Sequence, residues 1–205
     1  MERTLGRTDW LKAARLALLK GGVEAVRVEK LARSLHVTKG SFYWHFKDRD
    51  ELLERLLREW EGETAEVIQR LDRRSVRETL LTLVRILVER ARLSEEGELP
   101  SDAAIFVWAT VSPEVARRVN RAEEERIKLL TRISGQPDRI ELAYLAWLGF
   151  VARGQRVPET RKKFPQIARI MLKLLLRPES KGKRRSQSRR KLASASKLIR
   201  KREAQ

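Results

Sequence analysis

The sequence predicts an all-α fold, and three observations carry that reading. Apolar residues recur at three- and four-residue spacing through most of the chain up to residue 177, as one buried helix face requires. No stretch alternates apolar and polar residues for long enough to make a strand, and no Asn-Gly or Asp-Gly hairpin turn occurs. The prolines fall at 100, 113, 137, 158, 165 and 178, where they punctuate the periodic segments.

The elements follow in order. A first helix is expected over about Thr8–Lys20, with Trp10, Ala13, Ala14, Leu16, Ala17 and Leu18 as its apolar stripe and Gly21-Gly22 as its stop. Two short helices follow, over about Val28–Leu35 and Lys39–His45. His36-Val37-Thr38 between them has the length of a helix-turn-helix connection, with Thr38 as N-cap. Leu31, Leu35 and Phe42 can pack this pair against the first helix, and Ala32 is small where two helices cross. Asp48 and Glu51 form a capping box for a long fourth helix, whose stripe runs through Leu52, Leu56, Trp60, Thr64, Val67 and Leu71. Further helices are expected at about Val76–Leu93, Ser101–Thr110, Pro113–Ile133, Asp138–Arg153 and Glu159–Leu176. Ser112 caps the one that begins at Pro113. Asp138 is a cap or first-turn residue of the next.

Charge then narrows the function. The formal net charge of +18 implies a polyanionic partner. Residues 178–205 hold eleven Lys/Arg against two Glu, half of that excess, in a Ser- and Gln-rich stretch without aromatics. Such a segment buries too little apolar surface to offset its ordering entropy, so a disordered basic tail is expected. There is no cysteine, which removes disulfides and thiolate chemistry. The two histidines, His36 and His45, both lie in the short helical pair, so no metal site and no cofactor are expected in the body. Glu123, Glu124 and Glu125 point in different directions on one helix, and an enzyme is not expected. The N-terminus has no apolar leader and no apolar run approaches the ~20 residues of a membrane span, so a cytoplasmic protein is expected.

The sharpest signal is VEKLARSLHVTKGSFYWHFK at 28–47. On its second helix Lys39, Ser41, Tyr43, Trp44 and His45 are donors and flat rings with no core to enter. A short helix presenting such groups outward suits a major groove and its phosphate walls. Gly40 costs about 1 kcal/mol in helix propensity but allows close backbone approach.

The segment TKGSFYWHFKDRDELL resembles the signature of the TetR/AcrR family of bacterial regulators, and the likeness spans residues 7–60. The resemblance implies a helix-turn-helix head on a larger helical effector-binding and dimerisation domain, here residues 61–177. It implies that Lys39, Gly40, Ser41 and His45 face base edges, and that Thr38, Tyr43, Trp44 and Lys47 hold phosphates. Two positions depart from the family. His36 stands where a turn glycine is usual, at a cost of roughly 1 kcal/mol if left-handed. Arg27 stands where Ser or Thr usually caps the second helix, and it offers a cation to the DNA backbone instead.

The body is read more coarsely. The resemblance implies an effector cavity, and the candidate lining residues are Trp60, Val84, Leu87, Phe106, Trp108, Tyr144 and Trp147. Arg126 lies near the apolar stripe of its helix, where a charge needs a partner. Its partner is a carboxylate of the protein, the favoured reading, or an acidic effector. IELAYLAWLGFVA at 140–152 is apolar almost all round and predicts a helix buried on every side, packed on Phe164–Leu176. The resemblance makes this pair the homodimer interface, with Leu142, Ala146, Gly149, Ile167, Met171 and Leu174 as candidates. The expected function is a repressor that reads a palindromic operator in double-stranded DNA and is released by a small-molecule effector that tilts the fourth helix. The alternative is an architectural, non-specific nucleic-acid-binding protein driven by the tail.

Overall fold

A computed structural model describes residues 5–71, 75–98, 101–157 and 159–177. The tail expected at 178–205 lies outside the described residues. The described residues are helical and include no strand. The head comprises α1 (Arg7–Gly21), α2 (Val28–Ser34) and α3 (Lys39–Tyr43). Between α1 and α2 a 3-10 turn, Val23–Ala25, went unread in the sequence. The long α4 (Arg49–Leu71) leads to α5 (Val76–Glu95), α6 (Asp102–Ala109), α7 (Pro113–Ser134) and α8 (Pro137–Arg156). The final helical segment divides into α9 (Glu159–Lys162) and α10 (Phe164–Leu176).

That division corrects the single helix expected over Glu159–Leu176. Pro165 has no N–H to donate back into the preceding turn, so the chain restarts there. The Gln166 and Ile167 amides both bond the Lys163 carbonyl, at 3.1 and 3.0 Å, and open the new helix. Other ends follow local chemistry. Gly22 at φ +67° stops α1, and its amide closes on the Leu18 carbonyl. The Ser112 hydroxyl accepts from the Val115 amide, with Pro113 in the first turn of α7.

Head and body share one core. Trp10, Phe42, Phe46, Leu52, Leu56 and Trp60 are all buried in a cluster that continues into Ile105 on α6 and Val119 on α7. The buried stripe of α4 (Leu52, Leu53, Leu56, Leu57, Trp60, Thr64, Val67) repeats every three or four residues and is the seam between the two parts. Polar bonds pin the same seam. Trp60 donates its indole N–H to Asp102 at 2.6 Å. Arg15 on α1 reaches the carbonyls of Gly97 and Glu98 at 3.1 and 2.8 Å and the Glu59 carboxylate at 2.5 Å. From α7, Arg118 bonds Glu61 through two nitrogens, at 2.7 and 2.6 Å, and Glu54 through a third at 2.6 Å. Hydrogen bonding to Arg118 is the main reason the Glu54 carboxyl sits below the usual carboxylate range.

The expectation that residues 140–152 are buried on every side is not met within one chain. Ile140 and Tyr144 face inward, whereas Leu142 and Leu145 are 66% and 57% exposed and Ala146 and Gly149 face outward. A straight helix on the edge of a bundle has one inner stripe, and the 140/144 stripe takes it. On α10 the inner stripe is Phe164, Ala168 and Leu175, leaving Ile170 and Leu174 more than half exposed.

Candidate nucleic-acid interface and helical-body cavity

The turn between α2 and α3 fixes the presentation of α3. The His36 amide bonds the Arg33 carbonyl at 3.2 Å and the Val37 amide bonds that of Ala32 at 3.0 Å. This crossed pair is a Schellman closure, and it places His36 at φ +58° in the left-handed region. Histidine bears this at a modest cost where glycine would bear none. Thr38 occupies the N-cap of α3 with extended backbone, but its hydroxyl makes no capping bond, contrary to the expectation. The Ser41 amide instead bonds the Thr38 carbonyl, which leaves the exposed hydroxyl free to point outward.

The inward side of the pair is aromatic. Phe42 is fully buried, edge-on to Trp10 at 5.2 Å and stacked on Phe46 at 5.4 Å between ring centres. Arg7 lies over the outer face of Phe46 at 4.6 Å. With Phe42 locked, its neighbours must face out. Trp44 is 88% exposed and Tyr43 53% exposed. Thr38, Lys39, Gly40 and Lys47 are exposed too, whereas Ser41 and His45 are half-buried. The nine candidate contact residues therefore do not stand equally clear. Arg27, at the N-cap of α2, is exposed and turns its Nε to the Glu24 carbonyl at 3.1 Å.

Two partners were not foreseen from sequence, and a third, Glu51, does more than the capping expected of it. Glu29 on α2 accepts from the Lys39 ammonium at 2.5 Å. That hydrogen bond is the chief cause of a lowered Glu29 and a raised Lys39 pKa. Both side chains are exposed, so the pair is a weak tether that DNA must break or share. Replacing Glu29 with glutamine is expected to raise DNA affinity about two- to fivefold, the range of an exposed ion pair. Titration of one labelled duplex with both proteins checks this, and weaker binding by the variant would contradict it.

Arg49, at the first position of α4, donates to the carbonyls of Val26 and Val23 at 2.6 and 2.7 Å. A cation in a first helical turn opposes the dipole, and that mismatch was the available signal. Glu51 is the third. Its own amide bonds Asp48, as a capping box requires, but its carboxylate takes the Lys47 amide at 2.7 Å rather than that of Asp48. The end of α4 is thus served by its own carboxylates, and a phosphate there would rely on the Lys47 side chain.

The body encloses an apolar cavity of about 90 Å³ between α4, α5, α6, α7, α8 and α10. Of the candidate lining residues, Val84, Leu87, Arg126, Tyr144 and Trp147 do line it. Trp60, Phe106 and Trp108 do not. They belong to the core between head and body, where Trp60 and Phe106 pack edge to face at 6.3 Å. Met171, a candidate for the dimer face, is in the cavity wall because it continues the inward stripe from Ala168. Leu142, Ala146, Gly149 and Leu174 are exposed, and Ile167 is half-buried beside Ala146 and Gly149. Tyr144 donates to Glu123 at 2.8 Å, and burial is the first cause of its strongly raised pKa. Among the described residues, no group of three or more His, Asp or Glu could hold a metal ion. No helix among them is long and apolar enough to cross a membrane.

A short outward helix held by a Schellman turn and an aromatic core, on an otherwise helical body, is a helix-turn-helix arrangement. Residues 11–56 match the family model of bacterial regulatory proteins of the tetR family. The fold agrees with three solved structures. The crystal structure of superantigen pfit is similar at 17% identity and TM-score 0.57, over 87% of this chain and 92% of that one. A transcriptional regulator (TerR/AcrR family) from Aquifex aeolicus VF5 is similar at 15% identity and TM-score 0.54, over 80% and 98%. Salmonella enterica GusR is similar at 15% identity and TM-score 0.52, over 84% and 98%. No curated protein matches the sequence.

Proposed function

We propose that this protein is a sequence-specific transcriptional regulator, a cytoplasmic homodimer that represses its target and is released by a small molecule. It binds rather than catalyses. The observation that carries the reading is the outward face of α3, where Lys39, Tyr43 and Trp44 stand exposed over a locked Phe42. Lys39, Gly40, Ser41 and His45 meet base edges, while Arg27, Thr38, Tyr43, Trp44 and Lys47 hold phosphates. The exposed apolar face of Leu142, Ala146, Gly149 and Leu174, flanked by Ile167, supports a two-fold pairing that sets two heads on a palindromic site. Release requires that the effector prefer a geometry in which the heads no longer match the half-sites.

The test is selection of bound duplexes by the full chain from a genomic pool, followed by titration of the selected site. Lys39→Ala is expected to relax base preference, losing about 1–3 kcal/mol of discrimination. Tyr43→Ala is expected to weaken all sequences alike. The charge of residues 178–205 favours a second reading, non-specific coating of nucleic acid. If removing that segment abolishes all binding and no sequence is preferred, the second reading stands and the first falls.

A further inference from the structure

We infer that the body cavity takes a small amphipathic anion, an apolar chain or ring bearing one carboxylate, with Arg126 as its counter-ion. The inference rests on reading the chain as an effector-responsive regulator and names the chemical class of that effector.

The wall is almost wholly apolar, including Leu80, Leu83, Val84 and Ile140, so the bulk of an occupant must be apolar. Its charged members are two guanidiniums, Arg90 and Arg126, against one carboxylate, Asp102. Asp102 is already engaged, since it accepts the Trp60 indole N–H at 2.6 Å. Arg90 is buried and bonds Glu63 through Nη1 at 3.2 Å. Its Nη2 makes no hydrogen bond, and stands 3.8 Å from the Asp102 oxygen.

Arg126 is the unbalanced group. It is half-buried, and its one side-chain bond is from Nη2 to the Thr64 hydroxyl at 3.3 Å. Among the described residues no carboxylate lies within 4.0 Å of it. A guanidinium offers five N–H donors, and a single bond to a hydroxyl leaves the others for water or for an anion entering the cavity. No carboxylate among the described residues bonds Arg126, contrary to the favoured sequence reading, and Glu123, three residues back on α7, is engaged by the Tyr144 hydroxyl at 2.8 Å, which leaves Arg126 available to an acidic ligand. A cationic ligand would meet Arg126 directly and find Asp102 already occupied.

Size agrees with a modest ligand. A cavity of about 150 Å³ holds benzene, so about 90 Å³ suits a short aliphatic chain. A larger adjoining cleft of about 490 Å³ shares Leu87, Arg90, Asp102, Trp147 and Phe164 with it and gives a longer tail a way out. Pairing would draw Arg126 from Thr64, which stands on the same helix that begins at the reading head.

The experiment is calorimetric titration of the full-length protein with butanoate, octanoate, octanol and octylamine, with DNA affinity measured in parallel. Octanoate is expected to bind at least tenfold more tightly than octanol, with no binding of octylamine. Arg126→Met should erase that preference while leaving octanol affinity unchanged, and Arg126→Lys should restore part of it. Equal binding of octanol and octanoate, tighter binding of octylamine, or no binding of either carboxylate would overturn the inference. Carboxylate binding that leaves DNA affinity unchanged keeps this site and removes the release mechanism. Release of DNA by octanol as readily as by octanoate keeps the release mechanism and removes this site.

Discussion

Replacing Phe42 with alanine is expected to cost about 3–5 kcal/mol and to abolish DNA binding. The ring is fully buried and touches Trp10, Tyr43 and Phe46 at 5.2–5.4 Å between ring centres, so its loss opens a cavity that three aromatics border. Two short helices cannot collapse to fill it, because α2 and α3 have seven and five residues and little stability of their own. Urea denaturation followed by near-ultraviolet circular dichroism reads the change, since Trp10 lies edge-on to the missing ring. A loss below about 1 kcal/mol with intact DNA binding would mean that the aromatic cluster does not hold α3.

Gly97→Ala is the second large effect, and it acts on the joint between head and body. Gly97 has φ +76°, and a Cβ built there would stand 2.7 Å from Leu16 Cγ on α1. The left-handed backbone costs an alanine about 1–2 kcal/mol. The overlap adds about 1–3 kcal/mol, because Cγ is the branch point of Leu16 and not its movable end. Relief requires α1 to retreat from the turn, which also stretches the Arg15 bonds to the Gly97 and Glu98 carbonyls. Thermal denaturation should therefore show a loss of about 2–5 kcal/mol, and hydrogen exchange should rise along α1. An unchanged melting temperature would show that α1 is free to move there.

Most of the helical order was legible because local signals agree with one another. The Gly21-Gly22 stop, the Ser112-Pro113 start and the α4 stripe each act through neighbours in sequence, so the sequence displays them. His36 was legible only through the resemblance, which puts a glycine at that turn position, and its φ is +58°. The single helix expected across Glu159–Leu176 divides at Pro165, because its apolar periodicity continues across a residue that cannot donate into the preceding turn. Nothing local announces that Arg118 will meet Glu54 and Glu61, or that Arg15 will meet Gly97. Charged residues on a helix face look alike whether they meet solvent or another element. The outward aromatics were found by elimination from the core, whereas Glu29 was missed because a lone surface carboxylate carries no distinguishing pattern. Trp60, Phe106 and Trp108 were candidates for the cavity, and the shared core of head and body holds them instead.

The grip of Arg118 on α4 has a mechanical consequence. Glu54 and Glu61 stand two helical turns apart on α4, about 10 Å along its axis, and one guanidinium spans them. Slippage of α4 along its own axis would break both attachments together, whereas rotation about that point strains them little. The helix is thereby a lever with its fulcrum in the body. Arg49 lies about 13 Å along the axis from the midpoint of Glu54 and Glu61, so a rotation of about 7° carries it about 1.6 Å. Because Arg49 is fastened to the Val23 and Val26 carbonyls, the turn ahead of α2 must travel with it. A displacement of that size is comparable to half a hydrogen-bond length, enough to take a side chain out of reach of a base edge.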